Sequence, residues 1–314
     1  TTYHSSPILA KIIKKLNIEI DLLIADEAHK TAGEKAKVFS TLLYDENIKI
    51  KKRLFMTATE RVCKDKSDDI VSMDDVEVYG KTYHRLSFKE AIKKKLICDY
   101  KIITINIPEE EIEKFQEKLN LNTMGGNVQY NSLNRNFLSH IALEKSFKKH
   151  NIKHAISFHQ SISKAENFKD LQNNFSGKVY PEINIGAFHV SSKNNASERQ
   201  NILSDFIKEK HSLITNARCL TEGVDIPAID CVVFSDPKQS TVDIVQACGR
   251  AMRNHKYKKF GYIILPINIP KDKSLEEFNK SQEFKTVRKI ITALSTQDER
   301  IAEYFKKSEK KQKS

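Results

Sequence analysis

Two adjacent carboxylates, Asp26 and Glu27, directly follow the apolar run 20–25. The run predicts a buried strand, and the carboxyl edge of a parallel sheet is where α/β proteins bind phosphates and metals. One carboxylate there can hold Mg²⁺ while its neighbour orients or deprotonates a water aimed at a γ-phosphate. An exposed acidic turn after a core strand would explain Asp26-Glu27-Ala28-His29 about equally well. The rest of the chain decides between these two interpretations.

Arg250 and Arg253 supply the opposite charge near the other end of the chain. They lie three residues apart at the end of a predicted helix over 241–251, and this spacing predicts that both project from one helix face. Guanidinium groups in such a position can neutralise charge that develops on a transferred γ-phosphoryl group. A solvated basic helix face is the competing interpretation.

Hydrophobic periodicity predicts two α/β segments that would position these groups. The first contains a helix over 7–16, a strand over 20–25, a helix over 34–44 and a buried strand over 52–56. The second begins with a strand near residue 100 and a helical insertion near 109–150. It continues with strands over 154–158, 183–187, 211–215, 230–234 and 260–265 and helices over 163–174, 196–209 and 241–251. The predicted domains are therefore 1–99 and 100–268, followed by a basic helical extension over 269–314.

Four motifs appear in the order and spacing of a known family. Asp26-Glu27-Ala28-His29, Thr57-Ala58-Thr59, Gly223-Val224-Asp225 and the segment from Gln246 to Arg253 resemble motifs II, III, V and VI of DEAD/DEAH-box-type superfamily 2 helicases and translocases. The resemblance runs from residue 1 to about 268 and is closest to the motor subunits of type I and type III restriction enzymes. It implies an α/β fold of two RecA-like domains, the first incomplete, with a C-terminal helical extension.

The resemblance also implies an ATP site with Mg²⁺. Asp26 would coordinate the metal, with Glu27 beside it as the catalytic base, and His29 would couple this site to Gln246. Arg250 and Arg253 would act as arginine fingers. Gly223 would bring the backbone near the nucleotide, Asp225 would bind the ribose, and Gly249 would let two backbones approach closely.

Nucleic-acid contacts follow from the same resemblance. Hydroxyl groups suit phosphate contacts that position a strand without reading its sequence. Thr57 and Thr59 would link motif II to nucleic acid or to the second domain, although either could instead be a helix N-cap. The other candidate contacts are Thr2, Tyr3, Ser157, Ser161 and Thr215.

The composition favours a polyanion as partner and a reducing compartment. The formal net charge is +12 with a pI near 9.2, which attracts nucleic acid. The five cysteines are scattered without a C-x-x-C pair, which argues against disulfides and zinc and favours a cytoplasmic protein. The sequence has no apolar run of about 18 residues, so we expect no membrane association.

The chain contains no P-loop, the Gly-rich phosphate cradle with its lysine. Gly80-Lys81-Thr82 resembles the end of such a loop, but its first glycine is missing because Asp75 stands there. The resemblance therefore implies an N-terminally truncated ATP-dependent helicase or translocase, with ATP hydrolysis in the full-length parent. DNA is favoured over RNA, and nuclease or methyltransferase subunits are expected partners. A non-catalytic nucleic-acid-binding scaffold, or the motor part of a restriction enzyme, are the alternatives.

Overall fold

A computed structural model describes residues 1–35, 38–63, 67–118, 130–178, 180–217, 226–236, 240–268 and 281–304. The chain divides into two compact units, Thr1–Arg85 and Leu86–Ser314. The division lies before the boundary predicted at residue 99, because the segment that begins at Phe88 packs within the second unit. The Phe88 N–H donates to the Gln297 carbonyl at 2.8 Å, and its ring lies 6.4 Å from the ring of Tyr100.

The first unit is built around a pair of parallel strands. Its elements are helix α1 (Ser6–Leu16), strands β1 (Ile20–Ala25), β2 (Gly33–Glu34), β3 (Ile50–Phe55) and β4 (Ile70–Val71), and helix α2 (Val76–Tyr79). β1 pairs in parallel with β3, and β2 pairs antiparallel with β4. The helix predicted over 34–44 is a 3₁₀ helix over Val38–Leu43. Hydroxyl side chains there bond nearby carbonyls, as Thr41 does to Val38 at 2.7 Å, and so compete with regular α-helix.

The strand predicted to be buried, β1, is covered on one side only. Leu23 packs against the small core of this unit, which is formed by Ala10, Ile13, Leu42, Ile48 and Ile50. Leu22 and Ile24 are 52% and 55% exposed, because side chains alternate between the two faces of a strand. The sequence pattern therefore located β1 correctly but overstated its burial.

The second unit contains a six-stranded parallel sheet in the order β5-β10-β9-β6-β8-β7. Its strands are β5 (Asp99–Asn106), β6 (His154–Phe158), β7 (Gly186–Val190), β8 (Ser212–Asn216), β9 (Cys231–Val233) and β10 (Phe260–Ile267). Its helices are α3 (Phe88–Lys93), α4 (Glu109–Lys118), α5 (Tyr130–Lys149), α6 (Ile162–Phe175), α7 (Ala196–Lys208), α8 (Thr241–Ala251) and α9 (Gln282–Ser295). This architecture confirms the predicted α/β class.

Three interior strands of this sheet, β6, β8 and β9, are buried at every position. Helices cover both faces, as the short continuous apolar runs predicted. One cluster includes Phe158, Phe206 and Ile244, and another includes Phe137, Ile141 and Phe168. Because all strands are parallel, their carboxyl ends share one edge and their amino ends share the other. Nowhere in the described ranges is a helix both long and apolar enough to cross a bilayer.

Candidate functional site

The acidic pair lies at the carboxyl end of β1, as predicted. The Glu27 N–H donates to Oδ1 of Asp26 at 2.9 Å. Asp26 is exposed and Glu27 is partly exposed, so both carboxylates can reach a ligand in solvent. The parallel register of β1 and β3 brings the loop after β3, which contains Thr57, to the same edge.

Glu27 has an unusual backbone conformation. Its φ of 51° and ψ of 44° lie in the left-handed region, which a residue with a side chain rarely adopts. The next residue holds this turn in place, because the Ala28 N–H donates to the Met56 carbonyl at 2.8 Å and Ala28 is fully buried. Sparsely populated backbone conformations of this kind cluster at functional sites, where the surrounding structure over-determines them.

His29 joins the acidic loop to the threonine loop. Its Nδ1 atom lies 3.3 Å from Oε2 of Glu27 and 3.1 Å from the hydroxyl of Thr57. The Thr57 hydroxyl donates to the Thr59 carbonyl at 3.0 Å, which leaves it as the acceptor for His29. Thr57 therefore connects the two loops of this unit.

Neither threonine of the loop is a helix N-cap. The next helix, α2, begins far along the chain at Val76 and is capped by Asp75. Thr59 is only 6% exposed, and its hydroxyl has no hydrogen-bond partner among the described residues. The N-cap alternative for Thr57 and Thr59 is therefore wrong, and burial of Thr59 also argues against direct contact with nucleic acid.

The Tyr3 side chain forms a hydrogen bond with the acidic loop. Its hydroxyl donates to the Asp26 carbonyl at 2.5 Å. Burial raises the pKa of Tyr3 to about 12, with further contributions from the charges of Asp26 and Glu27. Thr2 is exposed, and its hydroxyl accepts from the Ser5 N–H at 3.3 Å. Of these two predicted nucleic-acid contacts, Thr2 offers the more accessible side chain.

Helix α8 carries Gln246 and Arg250 of the predicted motif VI, but it ends at Ala251, before Arg253. Arg250 lies in its last turn and is only 7% exposed. Arg253 lies beyond the helix and forms an antiparallel bridge with Ile97. The prediction that both arginines project from one helix face is wrong.

A distant segment stops the helix. The Cys98 N–H donates to the Met252 carbonyl at 2.8 Å, and the Asn254 side chain donates to the Lys95 carbonyl at 2.7 Å. Lys95 itself has a left-handed φ of 58°, which turns the chain after α3 toward this contact. Pairing with residues 95–98 therefore sets the conformation of Arg253, and the local sequence could not reveal it.

The glycine that permits close packing is Gly261, whereas Gly249 was predicted. Apart from its own helical turn, no described heavy atom lies within 4 Å of a Cβ placed on Gly249, so the described residues show no close approach there. A Cβ on Gly261 would collide with the Ala251 carbonyl oxygen and lie 2.8 Å from its carbon. Gly261 therefore lets the end of α8, with Arg250, pack directly on β10. Half-buried Gln246 lies on the same helix.

Two of the predicted nucleic-acid contacts are buried inside the sheet. Ser157 and Thr215 are 0% exposed. The Ser157 hydroxyl lies 2.9 Å from Nε2 of His159, and the Thr215 hydroxyl lies 2.9 Å from Nδ1 of His189. Both predictions are wrong, because helices on both faces of the sheet exclude a ligand from these positions. Exposed Ser161 remains accessible and caps α6, accepting from the Lys164 N–H at 3.2 Å.

Asp236 is a polar group at the carboxyl edge that sequence reasoning missed. It follows β9 closely, and its Oδ2 accepts the Gln160 N–H at 2.9 Å. Its Oδ1 lies 3.7 Å from Nζ of Lys164. The signal was available, since Ser235-Asp236 follows an apolar run just as Asp26-Glu27 does. Gly223 and Asp225, the predicted nucleotide contacts, lie outside the described residues.

The donor set at the acidic loop suits Mg²⁺ held together with a phosphate. Among the described residues, no group of three or more His, Cys, Asp or Glu side chains could hold a metal ion. Mg²⁺ commonly binds one or two carboxylates and completes its shell with substrate phosphates and waters. Asp26 and Glu27 fit that pattern, and they do not form a self-sufficient metal cage.

Comparisons with known proteins agree with this fold. Residues 135–255 match the family described as helicase conserved C-terminal domain. The solved structure of the ATP-dependent Type ISP restriction-modification enzyme LlaBIII bound to DNA is 30% identical with a TM-score of 0.79, covering 96% of this chain and 22% of that chain. The chain is a relative of superfamily 2 helicases and of restriction-enzyme motor subunits.

Two further relatives support this assignment. A structure of the Type ISP enzyme LlaGI in complex with a DNA substrate mimic is 27% identical, with a TM-score of 0.61 over 96% of this chain and 19% of that chain. The protein named Probable helicase A859L of African swine fever virus (isolate Pig/Kenya/KEN-50/1950) is 24% identical over 312 residues, 97% of this chain. The chain spans 31% of the length of that viral protein.

Proposed function

We propose that this helicase-type protein is the motor part of a nucleic-acid-dependent ATPase that unwinds or translocates along DNA. The observation that carries the proposal is the loop after β1, where strained Glu27 is joined through His29 to Thr57. A left-handed residue can serve an ordinary turn, as Lys95 does, but at Glu27 the side chain is also linked through His29 to the loop after the neighbouring strand. The DNA in the LlaBIII and LlaGI structures favours DNA as the partner.

The acidic loop would activate water for hydrolysis. Asp26 and Glu27 would hold Mg²⁺, which neutralises charge on the triphosphate when it is bound. The Glu27 carboxylate would accept a proton from the attacking water, and its contact with His29 would fix its orientation. Tyr3 would keep the loop in place through its bond to the Asp26 carbonyl.

Cationic groups of motif VI would act on the nucleotide. Arg250 and Arg253 would stabilise charge that develops on the γ-phosphate, with Gln246 beside them on α8. Arg250 is largely buried and the backbone of Arg253 pairs with Ile97, which argues against the competing interpretation of a solvated basic helix face. Gly223 and Asp225 would complete the nucleotide contacts.

The restriction-enzyme relatives favour a place in a restriction-modification assembly. In that case nuclease or methyltransferase modules would cleave or modify the DNA while this part supplies motion. Exposed Thr2 and Ser161 are the candidate phosphate contacts that the structure leaves accessible.

Phosphate release measured with and without DNA, on the protein as its gene encodes it, tests the proposal. Glu27→Gln and Arg250→Ala should abolish turnover while DNA affinity stays within about twofold. Glu19→Gln and Arg288→Ala change exposed residues of the same types and should leave turnover intact. Unchanged turnover in Glu27→Gln or Arg250→Ala would refute the assignment of these two residues.

The formal net charge of +12 also suits one alternative, a non-catalytic scaffold that binds nucleic acid. The two functions differ in their response to nucleotide. A scaffold would bind DNA equally well with and without ATP·Mg²⁺ and would show no DNA-stimulated phosphate release.

A further inference from the structure

The amino ends of the parallel strands in the second unit carry a group of lysines and aromatic rings. Lys101 lies at the start of β5, Lys153 directly precedes β6, and Lys256 and Lys259 precede β10. β10 pairs with β5 from Phe260 opposite Asp99, and strands β6, β8 and β9 begin alongside. We call these four lysines, with Tyr257 and Phe260, the lysine edge. It is opposite the carboxyl edge, where Ser161 and Asp236 lie.

The lysines are held against the aromatic rings. The Nζ atoms of Lys153 and Lys256 lie 4.9 Å and 4.8 Å from the ring centroid of Tyr257. Those of Lys101 and Lys259 lie 4.3 Å and 5.6 Å from the centroid of Phe260. Tyr257 is 64% exposed. An exposed ring bordered by ammonium groups therefore faces solvent at this edge.

Carboxylates do not neutralise this charge. Within the described ranges, none of the four lysines forms an ion pair with an acidic side chain. Asp99 is already paired with Arg300 at 2.9 Å. Asp230 is buried, and its carboxylate accepts the backbone N–H groups of Lys153 and His154 at 2.9 Å and 3.1 Å.

Two nearby histidines, His150 and His154, lie close to these cationic groups. Burial is the main cause that lowers the pKa of His154, to about 4, and the charges of Lys153, His255 and His211 lower it further. The pKa of His150 is likewise lowered by burial first and then by Lys149 and Lys101. Cationic groups from several elements therefore act on the same small region.

We propose that the lysine edge is a second nucleic-acid surface, which binds the phosphates of a single strand and stacks one base on Tyr257. Ammonium groups bind backbone phosphates without reading sequence, and an exposed aromatic ring accepts the face of any unpaired base. This surface is additional to the candidate contacts at the carboxyl edge, and its existence does not depend on ATP hydrolysis.

Charge reversal tests the phosphate contacts. The affinity of the 314-residue chain for a fluorescent oligo(dT) strand would be measured over a range of salt concentrations, without nucleotide. A variant with Lys101→Glu, Lys256→Glu and Lys259→Glu should bind at least about tenfold more weakly, with a salt slope lower by about 2, since each phosphate contact contributes roughly 0.7. The control variant, with the same change in net charge at other exposed positions, carries Lys178→Glu, Lys208→Glu and Lys285→Glu.

Tyr257 tests the stacking contact and separates nucleic acid from other polyanions. Tyr257→Ala should weaken oligo(dT) binding at least about fivefold, whereas Tyr257→Phe should bind like the parent. Heparin, which has no bases, should bind both variants equally. Equal affinity of the two lysine variants for oligo(dT) would overturn the proposal. So would an equal loss of heparin and oligo(dT) binding in Tyr257→Ala, or binding only to phosphatidylserine vesicles.

Discussion

The imidazole of His29 contacts the Thr57 hydroxyl at 3.1 Å and the Glu27 carboxylate at 3.3 Å. A single side chain thus connects the residue proposed to activate water with the loop that follows the neighbouring strand. Movement of the threonine loop would therefore change the orientation of Glu27. We infer that this contact couples the conformation of the threonine loop to the orientation of the Glu27 carboxylate.

The Thr57 hydroxyl should matter for turnover through this contact. Thr57→Val keeps the shape of the side chain but removes the hydroxyl that accepts from His29, which costs about 0.5–1.5 kcal/mol. We expect DNA-stimulated phosphate release to fall roughly two- to tenfold. Thr57→Ser, which keeps the hydroxyl, should retain most of the activity. Equal rates in the valine and serine variants would show that the contact is not used.

The backbone of Glu27 gives a prediction for stability. At a left-handed φ of 51°, glycine avoids a steric cost of about 1–2 kcal/mol that alanine incurs. Glu27→Gly should therefore be more stable than Glu27→Ala by about 1 kcal/mol in urea unfolding. At exposed Lys14 in α1 the order should reverse, with the alanine variant more stable by about 1 kcal/mol. Glu27→Ala as the more stable variant would contradict the observed conformation.

The sequence predicted features that depend on local patterns. Continuous apolar runs identified the strands of the second unit, and the rule that functional groups follow parallel strands located Asp26 and Glu27. Prediction from the sequence failed where contacts with distant segments determine the structure. Pairing with residues 95–98 ends α8 before Arg253, and helices on both faces bury Ser157 and Thr215. Neither effect leaves a trace in the nearby sequence.

The two glycines near the end of α8 should respond oppositely to the same substitution. Gly261→Ala would drive a Cβ into the Ala251 carbonyl, so the helix end and Arg250 must shift. We expect a loss of stability of about 1–3 kcal/mol, as for other overpacked sites, together with reduced turnover. Gly249→Ala has open space and lies in a helix, where alanine is favoured by about 1 kcal/mol. Thermal unfolding of both variants measures the contrast, and equal midpoints would contradict the close packing observed at Gly261.

Glu144 should make the protein less stable as pH rises. This residue on α5 is fully buried, and neither carboxyl oxygen has a hydrogen-bond partner among the described residues. Burial raises the pKa of its carboxyl to about 8 from the usual 4.5, an effect that Gln172 partly offsets and Glu182 reinforces. Between these two values the folded state keeps a proton that the unfolded state has released. The contribution of Glu144 to stability therefore falls as pH rises through that window.

Glu144→Gln isolates this effect, because glutamine keeps the shape and carries no ionisable proton. The variant should gain stability over the parent by on the order of 2 kcal/mol more at pH 8 than at pH 5, as measured by urea unfolding. Burial lowers the pKa of His140 and His159 to about 3, which makes stability rise with pH below about 6.5. That trend is common to the parent and to Glu144→Gln, so it cancels in the difference between their unfolding free energies. Glu113→Gln, at an exposed position of α4, should show the same small change at both pH values. If the stability change of Glu144→Gln were also the same at pH 5 and pH 8, Glu144 would have to be ionised in the folded protein at neutral pH.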